Sequence, residues 1–394
     1  MPDLIDIAEA RRRVLGASFR LAPEELEIAT ALGRVLAEDV TSAERLPPFD
    51  SSAMDGFALI AGSGGELDLA GESRAGAPWS GELSRGQAVR ISTGAEIPAG
   101  ANAVVPIERA EERDGRVVAP ETRVGENVRY AGEDVREGET VLRAGDTLGP
   151  AELAVLASLG HARVRVGAQP RVAVLATGDE LVPPGEPLGP GQIRDSNAIA
   201  LAAQAESAGA RVVERATVRD EPAATTAALG QALGSADVVC VSGGVSVGPH
   251  DHVKPALREL GVEEVFWGVR LKPGKPTWFG TAPGKLVFGL PGNPVSAMVT
   301  FHLFARPALR ALQGGDAGDV RVRAVLDAPI ERNPARDQAI RCRVEARDDG
   351  FHVEPTKEQG SHVLTSMLGA GALALVPAGE GSLAAGDRVD AELL

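Results

Sequence analysis

Between Pro170 and about residue 315 the chain repeats one pattern: an apolar run rich in Val, then a glycine-containing turn, then a stretch with helical spacing. "RVAVLATG" reads as a buried strand, "DSNAIALAAQAESAGA" as a capped helix, "RVVERATV" as a strand, "EPAATTAALGQALGSA" as a helix and "DVVCVSGG" as another buried strand. "HDHVKPALREL", "VFWGVRL", "KLVFGL" and the long helical stretch "NPVSAMVTFHLFARPALRAL" follow. Continuously apolar strands separated by helices must be covered on both faces, which predicts a doubly wound, mostly parallel α/β domain over residues 169–317.

The flanks obey other rules. Residues 5–16 and 23–36 carry helical periodicity, with Pro23 and acidic residues in an apparent first turn, and predict two opening helices. From "RLPPFDSSAMDGFAL" onward, short runs such as "AVRIS", "AVVPIE" and "GRVVA" between Gly, Pro and Asn predict an inserted β-rich domain, 46–140. "GPAELAVLASLG" then reads as a helix and "ARVRV" as a strand able to return to the opening helices, so residues 1–45 and 141–168 are expected to form one discontinuous domain. Alternating segments from "VRVRAVL" to "RVDAELL" predict a closing β domain, 318–394.

A formal charge of −15 argues against a general nucleic-acid or anionic-membrane binder. Cys240 and Cys342, the only two cysteines, lie in burial-prone contexts and are expected to be structural thiols. With an acidic, amphipathic N-terminus and no long apolar run, the expectation is a cytoplasmic protein.

Ligands of open α/β sheets collect at the carboxyl ends of strands. Three such ends are unusual: "ATGDELV", "SGGVSVGPHD" and "GLPGNPVS". Glycines such as Gly243 and Gly244 let backbone N–H groups approach an anion. Glu180 and Asp251 face that cradle, and two carboxylates beside an anion site suggest a divalent cation between them, magnesium by its preference for oxygen. "RLKPGKPTWFG" adds Arg270, Lys272 and Lys275 without an acid, although a solvated hairpin is the plainer explanation of that segment alone. "PPFDSSAMDGFAL", with Asp50 and Asp55, suits either a local hydrogen-bonded turn or a functional loop. His250, His252 and His302 lack zinc-site spacing. Gly244 to Gly248 fits G-x-S-x-G, but Val247, Gly248 and Pro249 stand where a nucleophile elbow starts its helix, and no acid-then-histidine pair follows. There is no P-loop motif.

"FDSSAMDGFAL", "STGAEIPAGANAVV", "ATGDEL", "SGGVSVGPHD", "LKPGKP", "GLPGNPVSA" and "QGSH", in that order over nearly the whole chain, resemble the molybdopterin molybdenumtransferases, the MoeA and gephyrin E-domain family. The resemblance implies a homodimer of four-domain subunits, with the α/β domain of molybdopterin-binding type. Its activity would insert molybdenum from molybdate into adenylylated molybdopterin and release AMP with magnesium. By the same resemblance the catalytic residues are the acids Asp50, Asp134, Glu180, Asp220 and Asp251, with magnesium on Glu180 and Asp251, and the basic, anion-binding Lys272 and Lys275. Thr93, Gly243, Gly244, Ser246, Pro276, Ser296, Arg341 and Ser361 match substrate-binding positions. Lys272, Lys275 and Arg341 would gather molybdate against the acidic surface. Two departures stand out: Gly268 where relatives often have lysine, and Cys342 after Arg341 where they often have glycine. Asp50 would reach the opposite subunit's site. Partner proteins would include a molybdopterin adenylyltransferase and downstream cofactor handlers. A non-catalytic scaffold of the gephyrin type and an adenylyltransferase are the alternatives.

Overall fold

The computed structural model describes residues 4–245, 251–318, 321–356 and 358–394. Its opening helix α1 (Ile7–Ala17) is capped by Asp6, whose carboxylate accepts a hydrogen bond from the Glu9 backbone at 2.8 Å. Ile7, Ala10 and Val14, one stripe at helical spacing, are buried. They join the core of the α/β unit.

The expected second helix over 23–36 does not form. Glu24–Glu27 is a strand, followed by a 3-10 turn at Ile28–Thr30. The strand pairs antiparallel with Arg163–Val166, setting Glu25 opposite Arg165 and Glu27 opposite Arg163, while Leu26 faces Val164. Cross-strand charge and a shared apolar face outweigh the local helical bias. Leu36, Leu142, Leu148, Val164 and Val166, together with Leu156 of helix α2 (Pro150–Ser158), close a small core around this pairing. Thus "ARVRV" returns to an opening strand, whereas α1 docks elsewhere.

The intervening segment carries a six-stranded sheet in which Gly56–Leu59 lies between Ala103–Pro106 and Gln87–Ile91. Gly56 permits that fit: a Cβ there would sit 1.9 Å from the Val105 carbonyl oxygen.

The α/β sheet has six strands: β1 (Arg171–Thr177), β2 (Arg211–Val218), β3 (Val238–Ser242), β4 (Glu263–Trp267), β5 (Trp278–Ala282) and β6 (Lys285–Leu290). Their spatial order is β2-β1-β3-β6-β5-β4. The first four run parallel, β5 runs against them, and β4, paired antiparallel with β5, runs in their direction again. Two separate apolar cores flank the sheet, as a doubly wound fold requires. One contains α3 (Asn197–Ser207), and the other contains α4 (Pro222–Ser235) and α5 (Val253–Glu259). The stretch from 294 to 312 comprises α6 (Pro294–Thr300), a π-helical turn at Phe301–Ala305 and α7 (Arg306–Leu312). Both cysteines are buried and unbridged; burial pushes each thiol up to about 12, so they are inert packing groups.

In the C-terminal unit, Asp337–Arg347 pairs with Gly350–Pro355 on one side and Ala372–Val376 on the other. Arg321–Leu326 and Arg388–Leu393 complete the ring, which is a closed barrel. Leu271–Lys272, a segment of the α/β unit, adds to this sheet beside Asp337 and Gln338. No helix among the described residues is long and apolar enough to cross a membrane.

Candidate functional site

Parallel pairing puts the ends of β1, β3 and β6 side by side, so the three glycine-containing loops form one edge. Gly243 and Gly244 have φ of +92° and +64°, a region that favours glycine. Side chains would also collide: a Cβ on Gly243 would lie 2.8 Å from the Thr177 hydroxyl, and one on Gly244 would lie 2.6 Å from Val253. The buried Thr177 hydroxyl has no hydrogen-bond partner among the described residues. Asn197, at the start of α3, donates to the Ser242 hydroxyl at 2.8 Å and to the Gly292 carbonyl at 2.7 Å. It ties the β3 and β6 loops together. Ser246 lies outside the described residues.

Charge is divided along this edge. At the β2 and β1 end stand Asp220, Asp179 and the exposed Glu180; the Asp220 backbone N–H donates to the Asp179 carboxylate at 3.1 Å. Partial burial raises the Asp220 carboxyl above the ordinary aspartate range, the charges of Asp179 and Glu180 push it the same way, and His252 opposes them. Asp251 is half-buried two residues before α5. Among the described residues no group of three or more His, Cys, Asp or Glu is already gathered at metal-holding distance.

Lys272 and Lys275 stand at the other end. Trp278 is opposite Gly289, and Trp267 is opposite Trp278. The 268–277 connection therefore emerges at the same edge as the three loops. Both lysines are exposed and Pro276 is half-buried. The Trp267 indole donates to the Val245 carbonyl at 2.9 Å, and Val245 packs on Gly289, locking the β3 loop toward the basic end.

Ser361 meets the start of α6, where its hydroxyl accepts from the Asn293 amide at 2.9 Å and its carbonyl accepts from Val295. Ser296 is buried in α6. Arg341 departs from the expected role of gathering anions from solution. It is 0% exposed, and its guanidinium donates to the Glu358 and Gly360 carbonyls and the Ser366 hydroxyl. Burial draws it down to about 10. Arg341 holds the 358–361 loop, and with it Ser361, against α6.

Asp50, Thr93 and Asp134 do not join the cluster around Glu180 and Asp220. Asp50 accepts from the Ala131 backbone at 2.8 Å, and the Asp134 backbone donates to Leu46, so these two acids occupy adjoining loops. Thr93 donates twice to Asp55, through its backbone at 2.6 Å and its hydroxyl at 3.0 Å. The contacts of Asp50 and Asp134 stay within the inserted segment. The pattern along the chain missed Asp179, Thr177, Asn197 and His252 as members of the edge; Asp179 had a signal in its place beside Glu180, whereas Asn197 had none.

Three family models match in chain order: the MoeA N-terminal region, domains I and II, over residues 5–160, the probable molybdopterin binding domain over 173–311, and the MoeA C-terminal region, domain IV, over 323–394. The molybdopterin molybdenumtransferase of Haemophilus influenzae is 36% identical over 99% of this chain and 98% of its own length. That of Nostoc sp. is 37% identical over 93% and 87%. A crystal structure of the molybdopterin biosynthesis MoeA protein from Pyrococcus horikoshii OT3 superposes with a TM-score of 0.85 at 30% identity, covering 100% of both chains. Full-length likeness in sequence and in fold leads to one conclusion: the chain belongs to the molybdopterin molybdenumtransferase (MoeA) family of transferases.

Proposed function

We propose that the protein acts in molybdenum cofactor biosynthesis by transferring molybdenum from molybdate to adenylylated molybdopterin, with release of AMP. The observation that carries this reading is the divided strand-end edge: carboxylates at one end, lysines at the other and a side-chain-free turn between them. Such an edge fits a ligand bearing phosphates at one end and meeting a separate oxyanion at the other.

Backbone at Gly243 and Gly244 receives the phosphates at close range, because no Cβ stands in the way. Lys272 and Lys275 hold the oxyanion by charge. Glu180 and Asp251 would hold magnesium, which when bound supplies positive charge that polarises a phosphate oxygen. Asp220, whose carboxyl keeps its proton to higher pH than an ordinary aspartate, is suited to holding or passing one during exchange of molybdate oxygen for dithiolene sulfur. One molybdate oxygen leaves with the two thiol protons as water, and a water attacks phosphorus as the phosphoanhydride P–O bond breaks, so that AMP leaves and molybdopterin keeps its own phosphate. Asp50, Asp134 and Thr93 complete the site from the second subunit of a homodimer.

Purified protein mixed with adenylylated molybdopterin, molybdate and magnesium, without ATP, tests the reading. Molybdate-dependent AMP release is expected. Intact substrate after incubation would overturn it in favour of a scaffold, and a requirement for ATP would point to adenylyl transfer instead.

A further inference from the structure

Lysine is rare in this chain. Of its 40 lysines and arginines only five are lysine, at 254, 272, 275, 285 and 357. Arginine serves where a positive charge only has to meet a carboxylate, as Arg12 and Arg13 meet Glu9 and Arg116 meets Glu66 and Asp68. A lysine standing against that usage marks a position suited to a compact ammonium with three rotatable donors instead of a flat fork. Lys272 and Lys275 are at the basic end of the strand-end edge. Lys285 is spent on the Ala236 carbonyl at 2.5 Å, at the opposite end of β6, and Lys357 lies outside the described residues. Lys254 has no part in the site described above.

It stands at the same edge. Lys254 is the second residue of α5, and the first, Val253, abuts the glycine turn, where a Cβ on Gly244 would strike it. Because β4 runs in the direction of β3 and β6, it ends beside them, in Trp267. The Lys254 ammonium lies over that indole, 4.9 Å from the ring centre, while the indole N–H donates to the Val245 carbonyl at 2.9 Å. One ring therefore holds both the end of the glycine turn and a cation. A ring face orients an ammonium without supplying an opposite formal charge. We infer that Lys254 is a further substrate-binding residue, whose ammonium takes an oxygen of the phosphate lying against Gly243 and Gly244, while Lys272 and Lys275 hold the separate oxyanion. Trp267 is its positioning residue. As a point charge with rotatable donors, the ammonium can follow a phosphate that changes shape as its P–O bond breaks. This role rests on the proposed reaction.

Calorimetric titrations of the full chain with AMP, with molybdopterin and with molybdate test it. Lys254→Gln is expected to weaken one of the two phosphate ligands about ten- to hundredfold, the worth of a charge-assisted hydrogen bond, and to leave molybdate within about twofold. Loss on AMP places Lys254 at the adenylyl phosphate, and loss on molybdopterin places it at the pterin's own phosphate. Arg258→Gln removes the same charge one turn further along α5 and should leave all three affinities within about twofold, which tells contact from long-range field. Trp267→Leu should weaken the same phosphate ligand about two- to fivefold, and Trp267→Phe, which returns a ring face without the N–H, should recover part of that loss. Phosphate affinities unchanged in Lys254→Gln, or lowered equally by Arg258→Gln, would overturn the role of Lys254 and leave the proposed reaction standing. Equal losses in the two Trp267 variants would overturn the part given to the ring. Unmodified protein that binds none of the three ligands would overturn the proposed reaction together with the role of Lys254.

Discussion

Asp220 shows how a single side chain can be placed against its own interest. Its carboxylate is pressed toward the neutral form by burial and by Asp179 and Glu180. A carboxyl whose folded pKa is raised loses stability as pH climbs through that range, so the ionised group at neutral pH is destabilising. Asp220→Asn is therefore expected to raise stability at pH 7, by less than about 1 kcal/mol after solvent screening, while lowering AMP release. It should also blunt the thermal shift that magnesium gives the unmodified protein; an undiminished shift would separate Asp220 from any cation site. His302 is the opposite case, a buried base held neutral at about 4 against an ordinary 6.5. Below pH 6.5 the unfolded chain takes up a proton that the folded one refuses. Stability should fall by about 2 kcal/mol between pH 7 and pH 5 from this group. Urea melts at the two pH values, with His302→Gln as the comparison, measure it: the variant's loss should be smaller.

At the scale of elements, the units are joined by polar side chains buried between them. Glu392 of the C-terminal barrel is 0% exposed and accepts from both terminal nitrogens of Arg11 in α1 at 2.5 Å, while Arg321 shares its Oε1 at 2.9 Å. Arg11 also donates to the Leu303 carbonyl in the π-helical turn. One carboxylate thus secures an N-terminal helix, the end of the α/β unit and the barrel. Breaking a buried ion pair strands the remaining charges, at a cost of about 3–5 kcal/mol. Glu392→Gln should lose stability of that size in chemical denaturation; a change below about 1 kcal/mol would show that solvent already reaches Arg11. The barrel contributes positioning in the same way, since Arg341 spends its guanidinium on the loop that seats Ser361 at α6.

Over the whole molecule, the two groups of acids occupy different units: Asp50 and Asp134 in adjoining loops of the inserted segment, Glu180 and Asp220 at the sheet edge. If one working site draws on both across a two-fold dimer, inactive Asp50→Asn and Asp251→Asn chains should complement each other. With random exchange about half the dimers are mixed and each has one unmutated site, so activity should return to about a quarter of that of the unmodified protein. Verified mixed dimers that stay inactive would place both acids in one chain's site. The α/β unit was legible because apolar runs and glycine turns are local signals, and each strand needs two covered faces whatever its neighbours are. The glycine loops and acids at 180 and 251 followed from it, since strand order places any such ends on one edge. What the tertiary structure decided were choices between competing local preferences. Glu24–Glu27 is a strand because Arg163–Val166, well over a hundred residues later, offers complementary charge and an apolar face. Arg341 is a buried brace and not an open cation because the 358–361 carbonyls surround it, and α1 belongs to the α/β core because its apolar stripe found a larger surface there. Residue type and spacing set what each segment is able to bury; only the packed chain determines which partner buries it.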